Sequence, residues 1–385
     1  LAYQGLDGDG FIKTFTISAD GATVTQVQSL GHDNVNGSHN SLVQVDSDTY
    51  LLAYTGQDSD GFLKTFTVAA DGSTITQVAV LEHDNQDGYH HSLIKVDADT
   101  YVLAYMGYGN DGFIKTFTVP ADGSTITQVA VLEHDTNYAA YNSLVQVDND
   151  TYALSYMDAW NDGWLKTFTI PANGSTITQV ATHEYDTYYA NFSSLVKIDS
   201  DTYAVTWYGY DYGFTNQWGS YIGTYTIPAD GSTITRVTSL KYDNSQNTHP
   251  SWLDMGDGRL ALAMTYSNDG YIKTFYISPD GSTIAHMHSL AHNSTGQDNS
   301  LVKIDANTVA LAFAGDYSDG YISTFTIHSG LAFQSSLALA SDNSTLAVTF
   351  DQAVFNTNGG SGNLEASDFA FAISGGTATL SSATP

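Results

Sequence analysis

Three sets of residues in this chain have types and spacings suited to chemistry. The first is aromatic. Tyr89, His90, Tyr108, Tyr138, Tyr141, Trp160, Tyr188, Tyr189, Tyr210, Tyr212, Trp218 and His249 fall in turn-like stretches rich in Asp and Asn. A ring face covers apolar C–H surface while short polar chains read hydroxyls, so such a set suits carbohydrate. The same rings equally serve to pack loops together. The second set is acidic. Asp7/Asp9 and Asp58/Asp60 are paired two apart beside glycines, a beginning for a calcium site, although Asp-Gly also simply supplies a turn. No organic cofactor is implied, and calcium is the one ion these loops suggest.

The third set recurs. His32, His83, His134 and His292 occupy equivalent places, as do Lys13, Lys64, Lys115, Lys166 and Lys273. A metal needs ligands that converge on one point, and equivalent residues of a repeat are spread apart. The expected role of the histidines is therefore structural, pairing with the adjacent Asp33, Asp84 and Asp135. An inward lysine must likewise find a carboxylate. A glycosidase needs two carboxylates in differing environments, but Glu82, Glu133 and Glu184 are repeat equivalents, with Glu365 alone beyond them. That regularity argues against a singled-out catalytic acid.

What must position these groups is a repeat. The phrase F-I-K-T-F-T at Phe11 returns, with variation, at Phe62, Phe113, Trp164, Tyr221, Tyr271 and Tyr321. Its second aromatic recurs at Phe15, Phe66, Phe117, Phe168, Tyr225, Phe275 and Phe325, so the spacings are 51, 51, 51, 57, 50 and 50 residues. Each unit reads as four short strands rich in Val, Ile, Thr, Tyr and Phe, separated by Asp/Gly turns. In the second unit the strands are read from Ser41, Tyr50, Phe62 and Thr74. A unit of about fifty residues is too small to fold alone. Four-stranded units at this period are what β-propeller blades require. The predicted fold is all-β: a seven-bladed β-propeller of four-stranded blades over 1–330, with Tyr3, Tyr54, Tyr105, Tyr156, Trp207, Met264 and Phe313 in the core between blades. The first copy lacks its first strand, so an edge is expected to be closed by upstream sequence or by the two ends meeting.

Composition agrees. Of 385 residues 26 are Tyr and 34 Gly, and no cysteine is present, which removes disulfides, thiolate metal sites and cysteine nucleophiles. The net charge of −30 disfavours nucleic acid and anionic membrane surfaces, and no apolar run approaches a membrane span.

The units resemble bacterial extracellular β-propeller repeat proteins, distantly kelch- and FG-GAP-like in length and strand order. The segment 331–385, with Leu-Ala-Ser-Asp-Asn-Ser-Thr-Leu-Ala-Val-Thr-Phe ending at Phe350 and Leu364 to Phe369, resembles the start of a bacterial immunoglobulin-like surface-protein module. That implies a partial C-terminal β-sandwich and a chain that is part of something longer. The resemblances imply architecture and an extracellular or cell-surface setting, and carry no catalytic residues. The expected function is a non-catalytic binding or adhesion module for an extracellular glycan or surface polymer. The alternatives are a structural unit of a surface array or filament, self-assembling through the open blade edge or the C-terminal module, and a polysaccharide-active enzyme.

Overall fold

The computed structural model describes residues 1–5, 7–211, 216–315, 319–327, 334–339 and 346–350. The chain separates into two units, Leu1–Ile327 and His328–Pro385. In the second, the described residues form one antiparallel hairpin, Gln334–Leu339 with Leu346–Phe350. The expected sandwich otherwise lies outside the described residues.

The first unit is a seven-bladed β-propeller. Blades 2 to 6 are four-stranded antiparallel meanders. Blade 1 has three described strands (Ala2–Gln4, Gly10–Ile17, Val24–Asp33), and among the described residues none takes its inner place, as expected. Blade 7 also has three described strands, Gln297–Lys303, Thr308–Ala314 and Gly320–Thr326. The inner strands of blades 2 to 7 begin at Ser38, Tyr89, Ala140, Ala190, Asn247 and Gln297 and stand around the central axis.

Because both faces of a blade are covered by its neighbours, the second strands read as unbroken apolar runs. Tyr54, Tyr105 and Tyr156 are fully buried there. Each phenol also donates to a carboxylate of the preceding blade: Tyr54 to Asp33 at 3.0 Å, Tyr105 to Asp84 at 2.8 Å, Tyr156 to Asp135 at 2.7 Å. Three of the five inward lysines find a carboxylate as expected, with Lys115 Nζ 3.6 Å from Asp84, Lys166 3.7 Å from Asp135 and Lys273 2.7 Å from Asp243, while Lys64 donates to the carbonyl of His32.

The histidines do not pair with their adjacent acids. His83 is the extra residue of a β-bulge, between Asp84 opposite Gly61 and Glu82 opposite Phe62. The bulge breaks the regular alternation of the strand, so both side chains reach Tyr105: Asp84 accepts from its hydroxyl, and the imidazole packs edge-on against its ring at 4.8 Å. His134 repeats this against Tyr156. Neither ring nitrogen of His83 or His134 has a hydrogen-bond partner. Burial lowers both proton affinities, that of His134 to about 3.

Blades are keyed to one another through the Asp-Gly turns (Asn173-Gly174 in blade 4) between third and fourth strands. Thr14, Thr65, Thr116, Thr167 and Thr224 each donate from Oγ1, at 2.7 Å, to the carbonyl of a turn glycine in the next blade (Gly72, Gly123, Gly174, Gly231, Gly281). The same bond closes the ring, from Thr324 of blade 7 to Gly21 of blade 1 at 2.6 Å.

Candidate functional site

The inner strands start with an irregularity that repeats around the axis. In blades 2 to 7 the pairing of inner with second strand slips between Ser38 and Ser41, Tyr89 and Ser92, Ala140 and Ser143, Asn191 and Ser194, Thr248 and Ser251, and Gln297 and Ser300. Each bulge contains one residue in the left-handed region: His39 (φ 50°), His90 (53°), Tyr141 (55°), Phe192 (56°), His249 (51°) and Asp298 (50°). None is glycine, and a bulky residue held at positive φ is costly. Bulges re-aim side chains, and strain that a fold maintains at six equivalent places points to a site. Side-chain amides brace three of the bulges, Asn40 donating to Gly37 O at 2.6 Å, Asn142 to Ala139 O at 2.8 Å and Asn299 to Gly296 O at 3.4 Å.

All six residues line one cavity of about 430 Å³ at the mouth of the channel. Their side chains run in sequence around it. Ring centroids are 4.8 Å apart for His39–His90, 4.9 Å for His90–Tyr141, 4.7 Å for Tyr141–Phe192 and 5.8 Å for Phe192–His249. His249 Nε2 then stands 3.3 Å from Asp298 Oδ1, and the Asp298 carboxylate acts in turn on His39, raising its proton affinity.

The hydrogen bonds fix the form of His39. Thr55 Oγ1 gives its single proton to the carbonyl of Gly88. His39 Nδ1, 3.2 Å from that same oxygen, must therefore be the donor. The neutral ring then carries its proton on Nδ1 and presents Nε2 as a free base. The protein packed around His39 lowers its proton affinity against the pull of Asp298, and the ring stays open to solvent at the mouth. His90, half-buried, is lowered to about 3 by burial and by His39, so it is neutral and keeps one N–H to donate. His249 is held on both nitrogens, Nδ1 lying 2.9 Å from Thr248 Oγ1.

Of the residues singled out in the sequence, His90, Tyr141 and His249 come together here. Tyr89 and Tyr138 pack with Tyr141 against Met106, Ala140 and Met157. Tyr108 and Trp160 stand exposed on hairpin loops of blades 3 and 4, 63% and 74% accessible. Tyr188, Tyr189 and Tyr210 gather around Trp218, with centroids 5.4–6.0 Å apart. Tyr212 lies outside the described residues. Among the described residues no group of three or more His, Cys, Asp or Glu is placed to hold a metal ion. Asp58 and Asp60 sit with Glu82, Asp84 and Asp87 in a crowd of like charge that raises Asp60, after burial; Asp7 and Asp9 flank the corresponding turn of blade 1.

Sequence reasoning missed His39 and Asp298. Both lie two residues before the repeating serine (Ser41, Ser300), a position that looked like crossover loop. Comparing that column across the units, which reads His, His, Tyr, Phe, His, Asp, is the signal that finds them.

The break in symmetry at blade 5 is structural. Gly223 replaces the third-strand lysine, and Trp207 fills the space, a Cβ on Gly223 coming within 3.0 Å of its ring. Arg236 of the fourth strand supplies the cation instead. It lies over Trp207 at 5.6 Å and pairs with the fully buried Asp211 at 2.6 Å.

The fold and the channel site define a β-propeller with its polar centre at one end of the axis. No protein-family model matches the chain, and no curated protein does. Solved structures do. The periplasmic gluconolactonase of Pseudomonas aeruginosa aligns with a TM-score of 0.55 at 15% identity, covering 74% of this chain and 79% of that one. A putative 6-phosphogluconolactonase of Bacteroides fragilis aligns at 0.56 and 11% identity (85% and 93% covered), and one of Bacteroides uniformis at 0.55 and 12% (85% and 95% covered). The kinship is one of fold. It nonetheless overturns the expectation of a non-catalytic adhesion module, because these matching propellers carry the names of enzymes. The physical reason for the error is plain in the bulges. Repetition equalises the backbone but leaves six different choices of side chain, so a unique constellation forms at equivalent positions.

Proposed function

We propose that the chain is a hydrolase of sugar lactones, with the channel mouth as its active site. The observation that carries this reading is the His39 base, fixed in the Nδ1–H form by Thr55 and facing the His249–Asp298 pair across the cavity. The gluconolactonase and 6-phosphogluconolactonase names borne by the structural neighbours support the substrate class.

Opening a lactone needs a base to take a proton from water, a donor for the carbonyl oxygen, and an acid for the departing ring oxygen. His39 Nε2 takes the water proton as the water oxygen bonds to the carbonyl carbon. The N–H of neutral His90 donates to the oxyanion. Asp298 stabilises the imidazolium that forms on His39. On collapse the ring C–O bond breaks, and the His39 proton passes to the leaving oxygen, giving the hydroxy acid and the neutral base. The faces of Tyr141 and Phe192 suit the C–H face of a sugar ring. An exported setting goes with this reading, since one supporting neighbour is a periplasmic enzyme.

The test is proton release from glucono-1,5-lactone above the uncatalysed rate. His39→Gln should lower kcat/KM by about 10²–10³ without loss of thermal stability. No acceleration by the unaltered protein would overturn the proposal.

A further inference from the structure

Resting on the hydrolase reading, we infer that the site takes uncharged sugar lactones and rejects phosphorylated ones. A phosphate is bound by guanidinium or ammonium groups, or by the N-terminus of a helix. Of the 11 Lys and Arg in the chain none lines the cavity, and the described residues contain no α-helix. The inner strands do carry lysines, but at their opposite ends. Lys95, Lys197 and Lys303 donate to the carbonyls of Val45 (2.5 Å), Val147 (2.6 Å) and Met255 (2.9 Å) in the preceding blades. Lys95 is five residues along the strand from His90, roughly 15 Å away, and its bond to blade 2 keeps it there.

What the mouth does present is a carboxylate. The Asp298 side chain is 71% exposed, and the chain as a whole carries −30. A phosphate dianion entering this cavity meets like charge at close range and no lysine or arginine to bind it. A neutral polyol ring meets the aromatic faces of Tyr141 and Phe192 and the polar edges of the imidazoles. The names of the structural neighbours, gluconolactonase and 6-phosphogluconolactonase, differ by a phosphate, and this cavity carries no lysine or arginine to hold one.

The experiment compares kcat/KM for glucono-1,5-lactone and its 6-phosphate at low ionic strength. The expected preference for the neutral lactone is roughly tenfold or more. Raising salt should lift the rate on the phosphate ester by screening and leave the neutral rate unchanged. Phe192→Arg, which sets a guanidinium in the cavity, should narrow the preference; the salt series gives the same discrimination should that variant not fold. Equal or greater activity on the phosphate ester would overturn the inference while the hydrolase reading stands. Hydrolysis of neither would overturn both.

Discussion

A Cβ on Gly61 would lie 2.4 Å from Cε1 of His83, so the glycine that opens the third strand is there to make room for an imidazole. Its backbone does not need glycine's conformational freedom. Gly10 with His32 and Gly270 with His292 repeat the relationship at 2.2 Å. Gly61→Ala should destabilise the propeller by about 1–3 kcal/mol through overpacking. His83→Ala in the same chain should restore part of the loss, since the new methyl then enters vacated space. Denaturant unfolding of the two single variants and the double variant measures the coupling; strict additivity would refute the relationship.

Stability should fall as the pH drops below about 6.5, where unfolded histidines take up protons. His134 is lowered to about 3 and His32 to about 4, chiefly by burial, and His83 well below its ordinary value. Unfolded, each binds a proton near pH 6.5. Below that pH the unfolded chain holds protons that the native chain refuses, so each such histidine removes about 1.4 kcal/mol per pH unit until its native value is reached. Thermal midpoints measured from pH 7 to pH 4 should decline steeply, and His134→Phe should flatten the slope.

Arg236 should be indispensable where the lysines of other blades are merely useful. Asp211 is wholly buried and accepts from both Arg236 Nη2 (2.6 Å) and Ser239 Oγ (2.9 Å). Arg236→Met leaves that charge without compensation, at a cost of about 3–5 kcal/mol. Adding Asp211→Asn should return much of it. Chemical denaturation of the pair decides the matter.

On the hydrolase reading, Thr55 should act on catalysis through His39. Thr55→Val removes the oxygen that holds the proton on Nδ1, so half or more of the neutral rings should present the wrong nitrogen. We expect kcat/KM to drop by about tenfold with KM little altered. In the unaltered protein kcat/KM should decline as pH falls through a value set by burial against Asp298, and that limb should move in Thr55→Val. An unmoved limb would make Thr55 structural only.

The blades were legible because period, turn residues and strand composition all repeat, and because a core tyrosine announces itself by size. The site was half legible. Tyr141, His90 and His249 attracted notice as aromatic or titratable residues near a turn, but nothing in the sequence marks a bulge. A non-glycine residue at φ 50° looks like any other, and His39 and Asp298 were read as loop because the strand was started at Ser41. The pairing of His83 with Asp84 failed for a related reason. Asp84 is engaged by the Tyr105 hydroxyl, and the bulge that turns His83 over Gly61 is again invisible in composition.

The bond from Thr324 to Gly21 joins residues 303 apart, whereas its counterpart from Thr14 to Gly72 spans 58. Bringing those partners together from an open chain costs about 1.5 kcal/mol more in loop-closure entropy, while the bond gained is the same. The seam between blades 7 and 1 is therefore the last to form as the chain folds and the first to part. Hydrogen exchange should begin there, opening the circle at one place and leaving an arc of blades whose protection rises with distance from the break.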